Sequence, residues 1–184
     1  MCVACDYTIH RRDHHYGWSR DFAPAVVAKS GSTIHFECLD SSGGQLGTGS
    51  TVADVINLDF AKVNPVTGPV YVEGAAPGDV LKVEIREFVP SGIGWTAVIP
   101  GFGLLADQFT DPALHIWTYD PGTMAPSLFG PGGSVPLKPF AGTIGVAPSE
   151  PGVHSVVPPR RVGGNLDIRD LSSGVTLYLP VEVE

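Results

Sequence analysis

Residues 148–170 read Pro148-Ser-Glu-Pro-Gly-Val-His-Ser-Val-Val-Pro-Pro-Arg-Arg-Val-Gly-Gly-Asn-Leu-Asp-Ile-Arg-Asp170. One short span thus holds a histidine, two adjacent arginines, an amide and several carboxylates. His154, Asn165, Asp167 and Asp170 are donor types that a divalent metal accepts, with the amide oxygen as a further ligand or as support for one. A metal held there would polarise a carbonyl and acidify bound water, the two needs of hydrolysis at a carbonyl carbon. The spacing matches no standard zinc signature, so polar loop contacts are the plainer reading of the residues alone. Glu150, in this span, and Glu37, upstream, are candidate proton carriers, because a buried carboxylate can be tuned toward neutral pH. Either one alone is more often a surface charge. Arg160 and Arg161 either clamp a carboxylate or brace the loop through salt bridges, and bracing is the plainer role. Gly163 and Gly164 permit a tight turn that places Asn165 and Asp167. No Gly-x-Ser-x-Gly elbow is present, and no cysteine has an evident histidine partner, so a serine or cysteine nucleophile is not supported.

The prolines and glycines of this span predict a shaped loop, not a core strand or helix interior. The rest of the chain reads as its scaffold. Thr33-Ile-His-Phe-Glu-Cys-Leu alternates, with Ile34, Phe36 and Cys38 on one face and His35 and Glu37 on the other, which predicts a half-buried strand. Strands are also predicted at 70–73, 80–89, 115–119, 142–148 and 175–183. A short helical turn is predicted within 51–60 and a turn-rich surface excursion over 121–136. Residues 91–107 are apolar and glycine-rich without helical period. Trp95 and Phe102 in that stretch either line a small apolar pocket, with Glu37 as a polar wall, or pack as plain core. The glycine-rich run 40–51 lacks the lysine of a phosphate-binding loop. His10, Asp13, His14 and His15 could ligate a metal or stand on a solvated strand.

The whole chain has 184 residues, 43% of them hydrophobic and 16% charged, which suits one folded domain and excludes a disordered chain. Its 23 glycines and 17 prolines imply many turns and short strands. The fold class is therefore all-β, a β-sandwich or distorted barrel of mainly antiparallel strands with long Gly/Pro-rich loops. A net charge of -8 argues against a nucleic-acid or anionic-membrane surface. No apolar run approaches the ~20 residues of a membrane helix, and with no secretory leader evident the cytoplasm is the expected compartment. Cys2 and Cys5 read as incidental thiols and Cys38 as a small core residue. The chain stops in strand-like residues, and that open edge suggests either a truncated polypeptide or a partner that completes the sheet.

Six ordered blocks carry a resemblance. They are Phe36-Glu-Cys-Leu-Asp-Ser-Ser-Gly-Gly-Gln, Asn64-Pro-Val-Thr-Gly-Pro-Val-Tyr-Val-Glu-Gly-Ala, Pro77-Gly-Asp-Val-Leu, Gly94-Trp-Thr-Ala-Val-Ile-Pro-Gly-Phe-Gly-Leu-Leu, Gly145-Val-Ala-Pro-Ser-Glu-Pro-Gly and Pro158-Pro-Arg-Arg-Val-Gly-Gly-Asn-Leu-Asp-Ile-Arg. From about His14 onward the chain resembles the acetamidase/formamidase family. The resemblance implies hydrolysis of a short aliphatic amide, such as formamide or acetamide, to ammonia and a carboxylate. It also implies a mostly β fold, a homo-oligomer, Asn165 and Asp167 in the active site, and zinc or calcium as a companion metal. His154 joins them as a metal ligand only through its nearness in sequence. Family chains are longer and continue into a second half that resembles the other part of the site. The expected organisation is a tail over 1–13 and a β domain over 14–184, completed by a C-terminal half on a separate chain. A non-catalytic β-sandwich that binds or assembles is the alternative.

Overall fold

Glycine and proline interrupt this chain so often that no strand among the described residues exceeds six residues. The computed structural model describes residues 5–184 and is almost wholly β. In chain order the strands are β1 (Tyr7–Ile9), β2 (His14–His15), β3 (Val26–Ala28), β4 (Ile34–Phe36), β5 (Val66–Thr67), β6 (Val70–Val72), β7 (Val80–Glu84), β8 (Ile93–Val98), β9 (Ala113–Thr118), β10 (Ser127–Phe129), β11 (Gly133–Val135), β12 (Thr143–Gly145), β13 (Gly163–Asn165) and β14 (Thr176–Pro180). One helix, α1 (Val52–Ile56), and one 3₁₀ turn, Phe60–Lys62, complete the set. The helix starts where Asp54 accepts hydrogen bonds from the backbone N–H and hydroxyl of Thr51, at 2.6 and 3.0 Å.

The strands pair two by two, and no sheet of described residues is wider than two. The β1–β4 and β3–β6 pairs are parallel. The other five, β2–β5, β7–β14, β8–β9, β10–β11 and β12–β13, are antiparallel. Such narrow ribbons gain little by themselves and leave both edges open. The buried core is correspondingly thin. Leu46, Val55 and Leu58 form one cluster, covered by Trp95, Ala97 and Ile99 from the β8 side and by Leu114 of β9. Ile9, Trp18, Ala28, Val156, Val162, Leu171 and Leu179 are also buried. Large apolar side chains elsewhere stand open, with Leu104 at 101% of its reference exposure. The accessible surface is 11328 Å². A folded monomer of 19.3 kDa exposes roughly 8,500 Å² by mass scaling, so the excess is about a quarter of the total.

The all-β, mainly antiparallel expectation holds, and several local expectations change. The expected tail over 1–13 is framework in its described part, because β1 lies in a ladder with β4 and Ile9 is fully buried. Cys38 is exposed rather than core, and Phe36 on the same face is open too, because β4 ends at Phe36. Cys5 is disulfide-bonded, not an incidental thiol, while Cys2 lies outside the described residues. Residues 93–98 form a regular strand, β8, because its neighbour β9 supplies a six-residue partner. Within the 148–170 loop, Gly163–Asn165 is a strand, since two glycines let its backbone approach β12 closely. No helix of the described residues is long and apolar enough to cross a membrane.

Candidate functional site

The β12–β13 ribbon carries the residues of interest. Its register sets Thr143 opposite Asn165, Ile144 opposite Gly164 and Gly145 opposite Gly163. Gly163 has φ +103, and a Cβ there would lie 2.4 Å from the Ile144 carbonyl oxygen and 2.6 Å from the Gly145 Cα. Only glycine fits that approach. Asn165 follows at once and is half-buried. Its Oδ1 accepts from the Thr143 hydroxyl at 3.0 Å and its Nδ2 donates to the Val157 carbonyl at 3.3 Å. Those two bonds fix the plane of the amide and use one of its two hydrogens.

Asp167 lies two residues on, with φ +50, a left-handed conformation that aspartate tolerates better than most residues. Its N–H and that of Leu166 both donate to the Gly142 carbonyl, at 3.0 and 2.9 Å. The carboxylate lies over Gly142, with Oδ1 3.1 Å from where a Cβ would stand. It is exposed, and no side chain or backbone donor among the described residues bonds to it. Asn165 and Asp167 therefore stand together on one ribbon, the amide anchored and the carboxylate free.

The other candidates are placed differently. Glu150 is exposed, and its backbone carbonyl faces His154 Nε2 at 3.3 Å. His154 also bridges to Trp18 through backbone bonds of 2.8 and 2.9 Å. His154 Nε2 and one lone pair of the Asn165 oxygen thus have partners within the chain, which leaves His154 Nδ1 and the Asp167 oxygens as the unbonded members of the expected metal-ligand set. Among the described residues no group of three or more His, Cys, Asp or Glu is arranged to hold a metal ion. The N-terminal histidines are occupied as well. His14 bonds to the Arg11 carbonyl and the Tyr16 hydroxyl, and His15 donates to the Gly17 carbonyl at 2.6 Å. Burial holds the His15 pKa below the ordinary histidine value.

The expected pocket of Trp95, Phe102 and Glu37 does not form. Trp95 packs on the Leu46–Val55–Leu58 cluster and donates its indole N–H to Asp40 Oδ1 at 2.9 Å. Phe102 is open, with its ring beside that of Phe60 at 5.6 Å between centroids. Glu37 pairs with His10 at 3.0 Å, and that hydrogen bond holds its carboxyl below the usual glutamate range. Two open clefts lie elsewhere. One, about 330 Å³, runs between Pro90, Tyr119, Met124 and Phe140; the other, about 350 Å³, lies along His115, Trp117 and Leu128. Phe140 brings the first cleft to the neighbourhood of Asp167, since its ring edge comes within 4.0 Å of the Cβ position on Gly142.

Two carboxylates escaped the sequence reading. Asp40 accepts from the Ser42 N–H, the Ser42 hydroxyl, the Gly44 N–H and Trp95, so it folds the glycine-rich run and ties it to β8. Aspartate ahead of Ser-Ser-Gly-Gly is a turn signal that could have shown the first part. Glu182 carries no signal in the sequence that sets it apart from other carboxylates. Its side chain is only 10% exposed, accepts two bonds from Ser149 and pairs with Arg161. That pair makes Arg161 the brace expected of the double arginine. Gly163 and Gly164 fill their expected backbone role, since both have positive φ and near-contact backbone neighbours.

The family model described as "Acetamidase/Formamidase family" matches residues 5–155. An acetamidase of Mycolicibacterium smegmatis is 29% identical, with 100% of this chain and 61% of that protein covered. A formamidase of Methylophilus methylotrophus is 28% identical, with 97% and 56% covered. Among solved structures, an acetamidase from Bacillus halodurans superposes with a TM-score of 0.87 at 31% identity, covering 96% of this chain and 58% of its own. The chain thus spans about 60% of the length of these relatives.

Proposed function

Since the chain belongs to the acetamidase/formamidase family, we propose that it supplies one wall of an amidohydrolase site that splits formamide, acetamide or a similar short amide into ammonia and a carboxylate. A second polypeptide, carrying the remainder of the relatives' length, supplies the other wall, and the assembly is a homo-oligomer of such pairs. The observation that carries this reading is an anchored Asn165 at the end of β13 followed two residues on by the exposed, unbonded carboxylate of Asp167. The excess accessible surface supports a missing wall, because interfaces of obligate partners run to thousands of Å².

On this reading Asp167 takes a proton from water as the water oxygen bonds to the amide carbon. The remaining N–H of Asn165 Nδ2 donates to the carbonyl oxygen as negative charge develops there. The C–N bond then breaks, and a proton from Asp167 or Glu150 goes to nitrogen, so that ammonia leaves. A divalent metal in the complete site would take the unbonded Asp167 carboxylate and His154 Nδ1 as the donors of this chain and would polarise the amide carbonyl. In the complete assembly, Asp167→Ala is expected to lower kcat for formamide or acetamide by at least ~100-fold, within the range of a lost general base. Ammonia release would be followed, with circular dichroism as the check on folding. Unchanged turnover would leave the chain a binding module, and turnover by the isolated 184-residue chain would refute the shared site.

A further inference from the structure

The loop between β12 and β13 delivers Glu150 at its start and Asn165 at its end, and it contains almost no regular structure. Something outside the loop must hold it. The N–H and hydroxyl of Ser149 both donate to Glu182 Oε2, at 2.9 Å each. The other carboxylate oxygen pairs with the Arg161 guanidinium. Residues 149 and 161 are thereby joined across the neck of the loop by one side chain from a third segment. That segment is itself fixed, because the neighbouring Val181 donates to the Asp79 carbonyl at 2.9 Å and accepts from Gly78 N–H at 3.0 Å. The Arg20 guanidinium adds a bond to the Ser149 carbonyl at 2.8 Å.

The burial of the partners says which contact dominates. The Arg161 side chain is 78% exposed, so its attraction is screened by water. The two bonds from Ser149 reach a largely buried carboxylate, and charge-assisted bonds of this kind are strong and directional. We propose that Glu182 is a positioning residue for the hydrolysis described above: by joining Ser149 and Arg161 to the β7–β14 ribbon it sets where Glu150 and Asn165 stand. This rests on the hydrolase reading. Glu182 touches no reacting atom and acts through the loop.

The test has two arms. In the complete assembly Glu182→Ala should lower kcat by about tenfold or more with KM changed less than about threefold, since misplaced catalytic groups cost rate rather than binding. Glu182→Gln retains an oxygen for the Ser149 donors and should recover most of that rate. In the 184-residue chain itself, Glu182→Ala should speed amide hydrogen exchange in residues 146–165 while the β8–β9 ribbon stays unchanged. A purely structural residue would lower the melting temperature and leave kcat per folded molecule intact, which overturns the proposal, as does unchanged exchange in the loop. If Glu182→Ala does not fold, Ser149→Ala on the exposed loop takes its place, with a fall in kcat of about threefold supporting the clamp and no change refuting it. If the unmodified assembly releases no ammonia, the hydrolase reading fails, and the exchange arm still decides whether Glu182 holds the loop.

Discussion

Replacing Gly163 by alanine separates two physical effects at the point where the chain enters β13. The first is backbone strain. A non-glycine residue held in a sparsely populated region costs about 1–3 kcal/mol, and Gly163 sits at φ +103. The second is collision. The new methyl group would lie 2.4 Å from the Ile144 oxygen and 2.6 Å from the Gly145 Cα, both backbone atoms that no side-chain rotation can move. β12 and β13 must part, and losing about two ladder bonds at about 1 kcal/mol each brings the total to about 3–5 kcal/mol. Gly174 supplies the control. It has φ +84, yet a Cβ there meets nothing within 4 Å, so Gly174→Ala carries the strain alone. Urea unfolding of the two variants beside the parent chain should place Gly163→Ala about 2 kcal/mol below Gly174→Ala. Equal midpoints would mean that the close approach of β12 and β13 is not what fixes Asn165, and the argument from backbone contact would fall.

Trp95→Phe keeps most of the ring on the Leu46–Val55–Leu58 cluster and removes the indole donor to Asp40. A loss of about 1–2 kcal/mol in unfolding free energy is expected, since Asp40 keeps its Ser42 and Gly44 donors. Glu182 makes a pH prediction. The Ser149 bonds first, and Arg161 second, hold its folded pKa below the ordinary glutamate value of 4.5. Its stabilising contribution is therefore fully present above about pH 4.5 and is lost as pH falls through the lowered folded value. Urea midpoints of the parent and Glu182→Gln should differ at pH 7 and converge once the pH has fallen below the lowered folded value, and a gap that persists there would contradict the assignment.

Particular residues show how far the sequence could be read. The pattern around Val80, Leu177 and Leu179 was legible because alternation reports the two faces of a strand directly. The glycine pair 163–164 announced a tight backbone, and it is one. The same reasoning misplaced Cys38, while for Trp95 pocket and core both stood open and the structure shows core packing. Alternation tells which residues share a face, not whether another element covers that face. In β4 the face of Phe36 stays open, whereas in β8 the cluster around Val55 covers Trp95. Nearness in sequence groups His154 with Asn165, and what holds His154 is a backbone bridge to Trp18, whose ring lies against the Gly145 Cβ position on β12.

The sequence by itself determined what depends on neighbouring residues: the all-β class, the turns, the glycines that let β13 approach β12, and the family blocks that hold Asn165 and Asp167. Tertiary structure alone decided which carboxylates are employed and which are free. Asp40 reaches Trp95 across 55 positions and Glu182 reaches Ser149 across 33, while Asp167 two residues beyond an anchored amide keeps its oxygens open. Contacts at such separations follow from the register and packing of whole ribbons, to which local periodicity is blind.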